Sequence, residues 1–134
     1  MRVVLDTNIL LVSIPKLSKY RIIFDKIINN EIEIVCSNEI FTEYLEIFSL
    51  KFGLQTANNI ITLLNIKENV LQVEPHFKYN LISEDPDDNK FIDAYLNSHS
   101  EYLVTNDKHF NVVKNIPFPI ISMDDFIEIL NKMK

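Results

Sequence analysis

A chain of 134 residues, 47% hydrophobic and 24% charged, suffices for one domain that buries roughly 65 to 70% of the surface its unfolded form would expose. Its single glycine, Gly53, excludes a dinucleotide-binding fingerprint and a P-loop, because both need several glycines to bring backbone amides against phosphate. The formal net charge of -6 argues against a generic electrostatic nucleic-acid binder, but not against a nuclease, since the count includes carboxylates that would hold metal ions.

Cys36 is the only cysteine and lies in the apolar run Ile34-Val35-Cys36, so no internal disulfide forms and a structural zinc site is not expected. A reducing compartment is expected. No apolar stretch approaches the roughly 18 residues of a membrane helix, and the N-terminus lacks the pattern of a signal peptide. The chain reads as cytoplasmic, with no membrane partner.

In chain order, Val3-Val4-Leu5 reads as a buried parallel strand, so Asp6 projects from its carboxyl end, where open α/β sheets bind ligands. Thr7 to Val12 predicts a short helix broken at Pro15. Ser18 to Asn29 carries Ile22, Ile23, Ile27 and Ile28 at helical spacing, and Ile32 to Cys36 reads as a second strand. Ser37 is an N-cap for a helix over 38–52, which Gly53 ends. A further helix is expected over 56–65, then a strand near 70–73.

Residues 75–86 show no periodicity and read as the longest loop. Helix resumes over 88–98, followed by a strand over 102–105 and a helical turn over 108–112. Pro117 and Pro119 bracket an edge segment ending at Ile120-Ile121-Ser122, and Ser122 with Asp125 resembles a capping box for a helix over 123–132. Strands alternating with helices imply right-handed crossovers and a parallel sheet covered on both faces. The expected fold is α/β, a three-layer α/β/α sandwich, as a single domain over 1–134. Spacing leaves the strand order open.

Asp6, Asp88 and Asp107 fall after a strand or at a helix start on the presumed ligand edge, although each taken alone has a simpler reading as an N-cap. Glu43 is sharper, because it falls inside the apolar arc that Ile40, Phe41, Tyr44, Leu45, Ile47 and Phe48 form, with Leu50 at its margin. A carboxylate there should be paired, liganded or shifted in pKa. Two carboxylates about 6 Å apart repel by roughly 2 to 3 kcal/mol at an effective dielectric near 20. No Lys or Arg is evidently fixed among these four acids. A divalent cation is the natural counter-charge, and hard oxygen donors select Mg²⁺ or Mn²⁺. Such a site suits phosphodiester hydrolysis. His76, His99 and His109 show no metal-ligand spacing.

These residues resemble those of the PIN-domain ribonucleases. Val4-Leu5-Asp6-Thr7-Asn8 is similar to the family's opening motif and Glu43-Tyr44-Leu45 to its mid-chain acid. Asp85-Pro86-Asp87-Asp88-Asn89 with Phe91-Ile92-Asp93-Ala94 resembles the third motif in the toxin branch. Leu103-Val104-Thr105-Asn106-Asp107 with Phe110 resembles the closing Thr-x-Asp motif. The resemblance implies a Rossmann-like fold, Mg²⁺- or Mn²⁺-dependent cleavage of RNA, frequent homodimerisation and, for toxins, neutralisation by a small antitoxin. It also implies catalytic, metal-binding roles for Asp6, Glu43, Asp88 and Asp107, with Asn8 and Thr105 orienting an acid, water or phosphate.

In the third motif Asp85, Asp87 and Asp88 all compete. Asp88 is preferred for its place at the helix start, with Lys90 two residues on to meet a phosphate, whereas Asp85 before Pro86 is biased toward extended backbone. Asp93 is a supporting candidate. Lys16, Lys19 and Arg21, and Lys108 with His109, are candidate phosphate contacts. Two alternatives stand beside the ribonuclease. One is a haloacid-dehalogenase-like phosphatase using Asp6 as nucleophile, which would want an Asp where the chain has Asn8. The other is a non-catalytic binding module of the same fold.

Overall fold

Val3, Val4 and Leu5 have no exposed surface because the strand they form lies in the middle of a sheet covered on both faces. The computed structural model describes residues 1–74, 88–107, 110 and 119–133. The strands are β1 (Arg2–Leu5), β2 (Glu33–Cys36), β3 (Val70–Gln72), β4 (Tyr102–Val104) and β5 (Ile120–Ile121), all parallel, in the order β3-β2-β1-β4-β5. Among the described residues six helices accompany them: α1 (Thr7–Ser13), α2 (Arg21–Ile28), α3 (Asn38–Phe52), α4 (Leu54–Ile66), α5 (Asn89–Ser98) and α6 (Met123–Lys132). The result is the expected three-layer α/β/α sandwich.

The chain builds outward from β1 through β2 to β3, then returns to lay β4 on the other side of β1. The order therefore reverses between β1 and β4, and a crevice opens at the carboxyl ends of strands that diverge in this way. Register carries two polar residues to its mouth. Leu5 pairs with Val104, the Asp6 amide donates to Val104 O at 3.0 Å, and the Thr105 amide donates to Ile121 O at 3.0 Å. Asp6 and Thr105 thus lie side by side, one residue beyond the last paired positions.

Most element boundaries agree with the local signals. Ser37 caps α3, its hydroxyl accepting from the Ile40 amide at 3.2 Å, and Ser122 caps α6 by accepting from the Asp125 amide at 3.2 Å. Gly53 ends α3 at φ 88°, ψ 156°, a conformation open in practice only to glycine. Its carbonyl also accepts from the Ala57 amide at 3.0 Å, so α4 starts at once, two residues earlier than apolar periodicity indicates. Conversely, α2 starts three residues late. The Ser18 hydroxyl donates to Val12 O at 2.5 Å and accepts from the Tyr20 amide at 3.1 Å, and that turn competes with helix. The loop over 75–86, with His76 and Asp85, lies outside the described residues, as do Asp87 and the turn over 108–112 except Phe110.

On α3 the apolar arc is real: Ile40, Phe41, Tyr44 and Phe48 are buried, with Tyr44 stacked on Phe48 at 5.6 Å. Leu50, at the margin of the arc, is 81% exposed. Tyr44 also reaches the sheet, where its hydroxyl donates to Leu5 O at 2.6 Å. This buried bond fixes α3 beside the end of β1, directly below Asp6.

Candidate active site

Asp6 occupies the N-cap position of α1, yet its carboxylate makes no capping hydrogen bond there. It turns across the sheet instead, and Oδ2 accepts from Thr105 Oγ1 at 2.7 Å. The same Thr105 oxygen accepts from the Asp107 amide at 3.0 Å. One hydroxyl thus ties the aspartates that follow β1 and β4. The simple N-cap reading of Asp6 is set aside by this geometry.

Asp6 is only 7% exposed. Burial pushes its carboxyl above the ordinary aspartate value; hydrogen bonds from Thr105 and the Thr7 amide oppose that shift, and the charges of Glu43 and Asp107 add to it. Asp6 is therefore a charge short of compensation. Beside it lies a cavity of about 250 Å³ whose polar lining is Asp6, Asn8, Asn106 and Asp107, with Ile9, Val12 and Met123 as its apolar wall. Asn8 is exposed into this space.

Glu43 projects from the middle of α3, partly buried, as its place on the apolar arc requires. Both its oxygens are engaged. Oε2 accepts from Thr7 Oγ1, and Oε1 lies 2.7 Å from Lys90 Nζ. The expectation that no Lys or Arg is fixed among the acids is thereby overturned. Lys90 comes from the first turn of α5, which packs on β1, β2 and β4, and only a tertiary contact across 47 positions brings it to Glu43.

Asp88 immediately precedes α5 and is buried, without a capping hydrogen bond from its side chain. Asp93 is buried one turn into the same helix. Arg21, one of the candidate phosphate contacts, donates to Ile14 O, pairs with Asp25 at 2.9 Å and lies over the Phe24 ring. It braces α2. Lys19 lies over Tyr20, Lys16 is exposed, and Lys108 and His109 are outside the described residues.

Sequence reasoning missed three contributors. Thr7 holds Glu43, Tyr44 fixes the end of β1, and Asn106 Oδ1 accepts from the Met123 amide at 3.0 Å, tying the segment after β4 to the start of α6. All three stand inside the quoted motifs, so the motif positions were their signal, and Tyr44 lay besides on the apolar stripe of α3.

Among the described residues, no three histidine, cysteine, aspartate or glutamate side chains form a ready-made metal cage. The donors at hand nevertheless suit a hard divalent cation, because they are oxygens only and because Asp6 is a buried anion with like-charged neighbours. Asp6 and Asp107, tied through Thr105, are the residues best placed to begin such a site.

A doubly wound parallel sheet with acidic residues at its switch point defines a class of α/β proteins that act at the carboxyl edge. The family model for the PIN domain matches residues 2–109, a span running from β1 through the Thr-x-Asp segment after β4. This chain belongs to the PIN-domain family, whose members are generally nucleases. No curated protein matches it. Among the described residues, no helix is long and apolar enough to cross a membrane.

Proposed function

We propose that this chain is a Mg²⁺- or Mn²⁺-dependent endoribonuclease, the toxin of a toxin–antitoxin pair, acting in the cytoplasm as a homodimer and restrained by a small antitoxin protein. The observation that carries the nuclease reading is the Asp6–Thr105–Asp107 bridge at the switch point, opening on the cavity that Asn8 lines. The toxin role, the dimer and the antitoxin rest on the likeness of the third motif.

The ion would be held through Asp6 and Asp107, with Asp88 and Glu43 completing the acidic rim, and when bound it supplies Lewis acidity toward a phosphodiester. Thr105 holds the Asp6 carboxylate in one orientation at the mouth of the cavity. Asn8 presents an amide to a phosphate oxygen or to the attacking water. An acidic chain then accepts an anionic substrate because the cation reverses the sign of the local field.

The test is cleavage of a labelled single-stranded RNA by purified protein with Mg²⁺, Mn²⁺ or EDTA. Endonucleolytic fragments that need the metal and vanish in Asp6→Asn are expected. Cleavage indifferent to EDTA, or retained in Asp6→Asn, overturns the proposal.

A further inference from the structure

The Lys90–Glu43 pair changes what Glu43 can do. Lys90 Nζ is 2.7 Å from Glu43 Oε1, with the two side chains 11% and 26% exposed, and Thr7 Oγ1 donates to the other oxygen. Three elements therefore close on one carboxylate: the first residue of α1, the middle of α3 and the first turn of α5. A cation brought to Glu43 would have to displace a donor and would meet the ammonium at close range.

We propose that Lys90 is a positioning residue, a built-in cation that holds Glu43 out of the inner coordination of the metal and keeps it as an outer acceptor beside Asp6. The inference rests on the metal-dependent reading above and deepens it. In this arrangement the aspartates ligate the ion, while the Glu43–Lys90 pair adds no net charge to the rim. Glu43 holds Thr7, and through it the turn that carries Asp6. Pairing with Lys90 is what keeps Glu43 in place there without a second metal ion, since a partly buried carboxylate needs a partner.

The experiment is calorimetric titration of the full chain with Mn²⁺, without RNA, so that affinity is read independently of activity. Glu43→Gln/Lys90→Met replaces an ion pair by a neutral pair and should bind Mn²⁺ within about threefold of the unaltered chain, because the charge balance is kept. Lys90→Met alone removes the repelling ammonium and should tighten binding by about threefold to tenfold, the opposite of what a merely structural lysine would do. Asp6→Asn should weaken binding by about tenfold or more.

Lys90→Arg keeps the pair and should restore ordinary affinity, which guards against misreading a Lys90→Met protein that fails to fold. A double variant that loses Mn²⁺ as completely as Asp6→Asn makes Glu43 a direct ligand and overturns the inference while leaving the nuclease reading intact. So does a folded Lys90→Met protein with unchanged or weaker binding. An unaltered chain that takes up no Mn²⁺ overturns the metal-dependent reading itself.

Discussion

Thr105 donates its hydroxyl to Asp6 across the boundary between β4 and β1 and accepts the Asp107 amide with the same oxygen, so one buried side chain sets the relation between two acids 101 positions apart. Replacing it by valine keeps the β-branched shape and removes both bonds. A buried donor or acceptor left unpaired costs about 1 to 3 kcal/mol. Thr105→Val is expected to lose stability on that scale in urea unfolding and to lose cleavage activity, whereas Thr105→Ser keeps most of both. Equal activity in the two variants would show that the hydroxyl orients nothing.

Asp6→Asn separates function from stability. Burial holds the native carboxyl above the ordinary aspartate value of about 3.9, so above that value the unfolded chain ionises more readily than the native one. Stability of the metal-free protein therefore falls as pH rises through this window and stays lowered at neutral pH. Asparagine removes that penalty while still accepting from Thr105. Its melting temperature without metal should exceed that of the unaltered chain at pH 7, and Mg²⁺ should raise the melting temperature of the unaltered chain alone. Activity should drop by about a hundredfold or more. A lowered melting temperature in the metal-free variant contradicts this account of the site.

Cys36 governs the alkaline limb. Burial pushes its thiol far up, and the adjacent Tyr44 hydroxyl is also raised by burial. An unfolded thiol ionises near about pH 8.5 while the native one stays protonated, so the native state holds the extra proton and stability falls above that pH by up to about 1.4 kcal/mol per pH unit. Cys36→Ala should flatten the first part of that fall between pH 8.5 and 10, followed by urea midpoints. In the native protein the thiol should resist alkylation until unfolding. Rapid labelling under native conditions would refute its burial.

Gly53 tests the joint between α3 and α4. A Cβ would meet nothing within 4 Å at φ 88°, so the penalty of Gly53→Ala is backbone strain alone, about 1 to 3 kcal/mol. Urea unfolding should show that loss with RNA cleavage per folded molecule unchanged. A neutral substitution would mean the joint relaxes without cost.

Much of this architecture was legible because its causes are local. The β-branched runs, the Ser37 and Ser122 caps and the lone glycine act within a few residues, and they mark α3 and α6 to the residue. Boundaries slipped where local alternatives compete. The Ser18 turn delays α2, and the Gly53 carbonyl starts α4 before its apolar residues begin. Arg21, a candidate phosphate contact by its place in the chain, is engaged by Ile14 O, Asp25 and Phe24, because sequence proximity to a motif does not show where a guanidinium points.

By itself the sequence determined that Asp6, Glu43, Asp88 and Asp107 sit at strand ends, a helix start or an inward face, since periodicity and capping follow from neighbours in the chain. It also carried the motifs that place the chain in its family. Tertiary structure alone decided the strand order that sets β4 beside β1, the hydroxyl that Asp6 shares with Asp107, and the closure of Lys90 on Glu43. The physical reason is that pairing energies across 47 or more positions depend on which elements pack together, and no local pattern encodes that choice.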